Sequence, residues 1–274
     1  MAIRIVTDST SDLPKEILEK YDISVVPLTV EIDGKVFRDG DLKGKEFFDF
    51  MDKSENLPKT SAPSPKAFSE VFKKFSTKDE IVCITLSSKV SSTCQSARLG
   101  AELTGRKIWL IDSKAASLGL GILAIYAAEM AKLGKGIQEI IKEINRRIDE
   151  MHILAFLDTA KNIVKCGRLS KAAGSLVNML NIKILLTNNE GEIEFLTKMR
   201  GKKRTFRRLL QIIEEYSYNL ENKIVGITHG DNLPDAEILK DLILEKFNPR
   251  EVILNYMGSC IGTHIGRGGL TINF

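Results

Sequence analysis

Six side-chain hydroxyls fall in the stretch Leu86-Ser-Ser-Lys-Val-Ser-Ser-Thr-Cys-Gln-Ser-Ala97. An apolar run, Ile81-Val-Cys-Ile-Thr85, precedes it, and helical spacing follows to Leu103. The order is therefore strand, hydroxyl-rich turn, helix. A helix start leaves backbone N–H groups unpaired and carries partial positive charge, so anions bind there. Ser87, Ser88, Ser91, Ser92 and Thr93 surround this start and can add hydroxyl donors. Two readings stand side by side. Ser91 or Ser92 caps the helix and does nothing more, or the capped end also holds a ligand.

Two further polar groups carry potential chemistry. His264 lies between glycines in Gly258-Ser-Cys-Ile-Gly-Thr-His-Ile-Gly-Arg-Gly-Gly269. It can steady loop carbonyls, or donate to an anion or to a hydroxyl that holds one. Arg168 follows Gly167 near a helix end, where it can complement the helix dipole or contact an anion. The cysteines at 83, 94, 166 and 260 form no C-x-x-C pair, and the histidines at 152, 229 and 264 lack ligand spacing. Neither zinc nor redox chemistry is indicated, and reduced thiols are expected. There is no G-x-G-x-x-G, no P-loop and no G-x-S-x-G elbow. A Ser-His-Asp hydrolase built on Ser91, His264 and a loop aspartate remains an alternative.

The elements that must position these groups alternate. Strand-like runs fall at 3–7, 23–30, 81–85 and 107–111, with helical spacing at 14–20, 42–51, 65–75, 93–103, 115–133 and 137–150. Strands alternating with helices predict a parallel, doubly wound α/β sheet over residues 1–150. Ligands in such sheets sit at the carboxyl ends of strands. The polar groups fall there: Asp8-Ser9-Thr10, the 86–97 turn, and Asp112-Ser113. That coincidence favours a cap that also binds. Residues 151–274 read differently. Strands at 152–158, 182–187 and 192–199, the last two joined by Asn188-Asn-Glu-Gly191, precede a basic helix at 202–218. Helices at 160–169 and 171–180, strands at 223–228 and 251–256 around a helix at 234–247, a glycine-rich loop at 258–269 and a closing strand at 270–274 complete a mixed-sheet α+β domain.

Composition is that of a soluble globular protein, 43% hydrophobic and 28% charged with net charge +4. The start of the chain reads directly into a strand, with no signal-peptide pattern. The apolar run 115–133 is broken by Gly119, Gly121, Glu129 and Lys132, so no integral membrane segment is expected, and a cytoplasmic protein is. Lys198, Arg200, Lys202, Lys203, Arg204, Arg207 and Arg208 form the strongest charge run. A solvated helix face explains it best, then docking of an acidic protein. Nucleic acid is not expected, because Phe206 is the one aromatic in the run.

Five separated motifs together resemble the DegV family of bacterial fatty-acid-binding proteins. They are Val6-Thr-Asp-Ser-Thr10 with Asp12-Leu-Pro14, Lys59-Thr-Ser-Ala-Pro-Ser64, the 87–97 turn, Gly167-Arg-Leu-Ser170, and Ile261-Gly-Thr-His264. The resemblance covers the whole chain in order. It implies a two-domain fold, a three-layer α/β/α parallel-sheet domain at 1–150 and a mixed-sheet α+β domain at 151–274, with a long-chain fatty acid such as palmitate between them. It also implies a non-catalytic carrier: the lipid-presenting subunit of a fatty acid kinase, whose ATP-dependent partner forms the acyl-phosphate. No catalytic residue, cofactor or metal is then expected. The family's carboxylate contacts fall on Thr60, with Ser61 adjacent, and on Ser91, with Ser92 and Thr93 beside it; its arginine falls on Arg168 and its histidine on His264. This chain departs from the family pattern at Ser92, where glycine is usual, at Cys166, where glycine is common, at Ala62, where glutamine is frequent, and at Arg267. The DegV architecture also resembles one domain of dihydroxyacetone kinase, so a small-ketone phosphotransferase using His264 is a second enzymatic alternative.

Overall fold

Short runs of β-branched residues build a parallel sheet at the start of the chain. The computed structural model describes residues 2–169, 182–217 and 219–274. The sheet comprises β1 (Ile3–Asp8), β2 (Ile23–Val26), β6 (Glu80–Thr85) and β7 (Ile108–Asp112), in the order β2-β1-β6-β7 and parallel throughout. From β1 the chain fills one side of the sheet with β2 and the other with β6 and β7. The direction of winding therefore reverses between β1 and β6. In open α/β sheets that switch point is where ligands bind.

The expected strand 23–30 is interrupted. Pro27 has no N–H to offer a ladder, and the chain leaves the parallel sheet after β2. It re-forms as β3 (Thr29–Ile32), which pairs antiparallel with β4 (Lys35–Arg38) across the Asp33-Gly34 turn. The other edge of β3 takes β5 (Lys59–Ser61), a strand in a stretch expected to be loop, with Thr60 opposite Val30. The helices here are α1 (Lys15–Tyr21), α2 (Lys45–Lys53), α3 (Pro65–Lys73), α4 (Thr93–Glu102), α5 (Leu118–Lys132) and α6 (Ile137–Asp149). Ser64 caps α3 by accepting from Ala67 N–H at 3.2 Å, with Pro65 at the first helical position. Ser11 and Asp12 do not cap α1; Pro14 occupies that position without a side-chain bond.

The second sheet is mixed. It comprises β8 (Ile153–Leu157), β9 (Lys183–Asn189), β10 (Glu192–Met199), β11 (Ile224–His229), β12 (Glu251–Tyr256) and β13 (Leu270–Asn273), in the order β10-β9-β8-β13-β11-β12. The closing strand β13 thus lies at its centre, antiparallel to β8 and β11. Its helices are α7 (Lys161–Lys165), α8 (Lys202–Tyr216), α9 (Leu233–Phe247) and α10 (Ser259–Ile265). Two expectations change here. The glycine-rich segment carrying His264 is not a loop but the helix α10. The helix expected at 160–169 is the single short turn α7, and the one expected at 171–180 lies outside the described residues.

Helices α3 and α4 cover one face of the parallel sheet through Phe68, Phe72 and Ala97, packed on Val6, Ile81 and Cys83. Helix α5 covers the other face. All its residues from Leu118 to Ala128 are buried, as expected of a helix apolar on every side. It meets the parallel sheet at Ile5, Val82 and Ile84, and the mixed sheet at Ile153, Ile224 and Ile253. Glycines permit that double contact. A Cβ on Gly121 would lie 2.7 Å from the Ser11 carbonyl oxygen, and one on Gly226 would lie 2.5 Å from Leu118 Cβ. One helix is therefore the shared layer between the sheets, and the carboxyl ends of β1, β6 and β7 face the mixed sheet beside it.

Candidate functional site

A cavity of about 370 Å³ opens at that junction. Its walls are largely aliphatic: Ile153 and Ala155 of β8, Leu186 of β9, Ile193 of β10, and Ile261 and Ile265 of α10. Residues 260, 261, 264 and 265 share one face of α10 because i, i+3 and i+4 positions do so. The helix therefore turns Cys260, Ile261, His264 and Ile265 into the cavity together.

Buried carboxylates hold the polar wall in place. Asp8, at the end of β1, is fully buried and accepts from Leu86 N–H at 2.7 Å and from Thr10 N–H at 3.0 Å. It pins the first residue of the hydroxyl turn across the β1–β6 switch point. Burial pushes its pKa up to about 6, against the lowering effect of these hydrogen bonds. Asp12 accepts from Ser117 Oγ at 2.7 Å and from Gly258 N–H at 2.8 Å, joining the start of α5 to the start of α10. Burial raises its pKa as well. Asp39 accepts from Ser9 Oγ and Ser259 Oγ, each at 2.7 Å, and from Cys260 N–H at 3.1 Å. Each carboxylate satisfies donors that would otherwise be orphaned on burial. Their arrangement is structural; among the described residues no His, Cys, Asp or Glu group could hold a metal ion.

Of the residues singled out from sequence, the structure brings Thr60, Ser61, Ser91, Ser92, Arg168 and His264 to this one cavity. Thr60 Oγ1 lies 3.2 Å from His264 Nε2. His264 Nδ1 is buried without a partner, and burial, assisted by the charge on Arg168, lowers the ring's pKa to about 4. The imidazole is therefore neutral at pH 7. A buried N–H without an acceptor costs more than a buried lone pair with one open side, so the network assigns the proton to Nε2. Nε2–H then donates to Thr60 Oγ1, and the Thr60 hydroxyl is left to donate elsewhere. Arg168 is exposed, and its guanidinium donates to the Cys166 carbonyl oxygen at 2.6 Å. Ser92 stands at the N-cap of α4 but makes no side-chain capping bond. Ser91 does that work, accepting from Thr93 N–H at 3.3 Å. Thr93 is fully buried and lies behind Ser91, not in the cavity wall.

Several wall residues escaped the sequence reading. Ser117 and Thr271 join a buried hydroxyl chain with Thr228. The β9–β10 hairpin tip docks on the hydroxyl turn: Ser87 Oγ donates to the Gly191 carbonyl oxygen at 2.8 Å, and Lys114 pairs with Glu190. A Cβ on Gly191 would lie 2.5 Å from Ser87 Oγ, and the backbone there has φ of +87°. Gly191→Ala is therefore expected to cost about 1–2 kcal/mol in left-handed strain alone and to undock the tip. Faster amide exchange at Lys89, whose N–H donates to Ser87 Oγ at 3.2 Å, and at 189–193 would report it; unchanged exchange there would refute it.

The basic run is split between the end of β10, which carries Lys198, and the first turns of α8, where Lys202 pairs with Asp235 and Arg208 with Glu215. No helix among the described residues is long and apolar enough to cross a membrane. The serine hydrolase alternative lacks its central contact: Ser91 bonds Thr93 and His264 bonds Thr60, and no bond joins Ser91 to a histidine among the described residues.

A parallel sheet and a mixed sheet closing on one aliphatic, hydroxyl-edged cavity recur in solved structures of one protein family. A DegV family protein from Thermus thermophilus, solved as a fatty acid binder, superposes with a TM-score of 0.92 at 28% identity, covering 100% of this chain and 99% of that one. A DegV family protein from Eubacterium eligens, loaded with heptadecanoic acid, superposes at 0.89 with 26% identity and 99% coverage of both chains. In sequence, a DegV domain-containing protein of Clostridium acetobutylicum is 36% identical over 269 residues, 96% of this chain and 95% of that protein. The family model described as uncharacterised protein, DegV family, matches residues 2–274. The chain belongs to the DegV family.

Proposed function

We propose that this protein binds a long-chain fatty acid between its 1–150 and 151–274 halves and presents the carboxylate to an ATP-dependent fatty acid kinase, which phosphorylates it to the acyl-phosphate. The observation that carries this reading is the cavity itself, whose aliphatic wall is interrupted by hydroxyls at Thr60 and Ser91. The heptadecanoate held by the Eubacterium eligens relative supports the ligand class.

The tail supplies the affinity. Each buried CH₂ contributes about 0.8 kcal/mol, so about 14 methylenes contribute on the order of 10 kcal/mol gross, from which association and ordering subtract several. The head needs donors, because burying an unpaired carboxylate is far costlier than burying methylenes. In our reading Ser91 and Thr60 donate to it, the latter backed by neutral His264, with Ser61, Ser92 and Arg168 around them. Neutral donors stabilise the anion without a buried counter-charge, so its oxygen keeps the electron density needed to attack a phosphoryl group. The carrier role fits a site whose polar edge is built of hydroxyl donors; ATP arrives on the partner.

The protein purified from its expression host is expected to carry fatty acid. Mass spectrometry of a denatured extract should show long-chain fatty acid near one equivalent per chain. An extract with no lipid, and a delipidated protein that takes up none, would sink the reading.

A further inference from the structure

We infer that Thr93 is a positioning residue that turns the Ser91 hydroxyl into an obligate donor toward the ligand carboxylate; this rests on the fatty-acid reading above. A serine hydroxyl has one donor hydrogen and two acceptor lone pairs. Left free, it rotates, and an anion must first orient it. Here Thr93 makes two contacts to the same oxygen. Its N–H donates to Ser91 Oγ at 3.3 Å, and its Oγ1 lies 2.8 Å from that Oγ.

The direction of the second bond follows from where the two side chains lie. Thr93 is fully buried, and Ser91 Oγ is the hydrogen-bond partner found for its hydroxyl. Were Ser91 the donor, the Thr93 hydrogen would be buried without an acceptor, which costs free energy. With Thr93 the donor, every buried polar hydrogen of the pair is satisfied. Both lone pairs of Ser91 are then occupied. Its hydrogen is the group left over, on a half-buried side chain that lines the cavity. The bond from Thr93 also polarises that hydroxyl, since chained hydrogen bonds strengthen one another. Thr93 is β-branched at the first position of α4, which restricts its χ1 and holds the arrangement. Its place in the Ser91-Ser92-Thr93 triplet is therefore distinct from that of its neighbours: it orients the donor and does not touch the ligand.

The test uses the full chain, delipidated, with two probes of equal length: palmitate and 1-hexadecanol, which lacks the carboxylate. Thr93→Val keeps the backbone N–H, the shape and the β-branch but removes the hydroxyl. It is expected to weaken palmitate binding on the order of tenfold, the scale of one hydrogen bond to a charged group, and to leave hexadecanol binding unchanged. Thr93→Ser is expected to restore palmitate affinity. In a Ser91→Ala background, Thr93→Val is expected to add no further loss. A merely structural role for Thr93 would lower both ligands together, and that result overturns the inference. So does equal palmitate affinity in Thr93→Val, failure of Thr93→Ser to rescue, or full additivity with Ser91→Ala. Wild-type protein that binds neither probe overturns the proposed function, and this inference with it.

Discussion

Replacing Thr60 and Ser91 together by alanine is expected to weaken palmitate binding by about 10²-fold or more, with the fold intact. In the proposed site each hydroxyl supplies a hydrogen bond to an ionised group, worth about 1.5–3 kcal/mol net, so the pair accounts for roughly 3–6 kcal/mol, or about 10² to 10⁴ in Kd. The tail's contribution is untouched, so binding weakens without vanishing. Neither residue holds the core. Thr60 sits in β5, an edge strand whose ladder to β3 uses backbone groups. Among the described residues, the side chain of Ser91 bonds Thr93 alone. The single variants should differ in character. Thr60→Ala also strips His264 Nε2–H of its acceptor, adding a cost near 1–3 kcal/mol for a buried donor left unpaired. Titration calorimetry on delipidated protein, with thermal unfolding as control, measures the change. Unchanged affinity in a variant that still unfolds cooperatively would move the carboxylate elsewhere in the cavity, toward Arg168.

What the sequence reveals and what it conceals divide along a physical line. The parallel sheet was legible because β1, β6 and β7 are each a local apolar run followed by a polar turn, and the crossover rules leave few ways to assemble them. The 86–97 turn was legible for the same reason: strand, hydroxyls and helix are contiguous. Helix α10 was not. Its segment reads as loop because Gly262 lowers helix propensity, yet a Cβ there would lie 2.9 Å from Phe47 Cε1 and 3.0 Å from Phe48 Cζ. The glycine serves close packing against α2, a tertiary demand that outweighs local propensity. Thr60 in β5 is similar, since its strand exists only because β3, freed by Pro27, offers an edge. The different placements of Ser92 and Thr93 were equally hidden. Three consecutive hydroxyls look alike in sequence, and only burial separates the one that faces the cavity from the one behind it. The docking of Gly191 on Ser87 joins residues 104 positions apart, and no local pattern announces it. Long-range contacts thus set the site's donor geometry, while local pattern sets where along the chain the donors lie.

The buried acids make the second large prediction, a stability that falls as pH rises from about 4 to 6. The neighbours of Asp8 are hydrogen-bond donors and a further carboxylate, Asp39, whose charge adds to the effect of burial. Its folded pKa of about 6 lies above the unfolded value near 3.9. Between those values the folded state binds more protons than the unfolded state. The slope of unfolding free energy with pH is then negative. The stabilisation from protonating Asp8 is fully present below about pH 4 and is lost as pH passes 6. That difference in pKa corresponds to roughly 3 kcal/mol, a large fraction of a stability of about 5–15 kcal/mol. Asp12 is raised in the same direction and adds to it. The isolating experiment is a difference. Asp8→Asn carries no titrating group, so its own penalty, an amide facing Leu86 N–H, is constant with pH. Denaturant unfolding of both proteins from pH 4 to 7 should show wild type gaining about 3 kcal/mol over the variant at the acid end. A flat difference would mean that Asp8 ionises at its ordinary value, and that the switch point between β1 and β6 admits enough water to solvate a carboxylate. The consequence reaches the site directly, because the group that titrates is the one holding Leu86 N–H. Ionised Asp8 strengthens that one bond even as its burial costs the whole fold, so on the proposed function the hydroxyl turn is held most tightly at the neutral pH at which its donors would meet an ionised fatty acid.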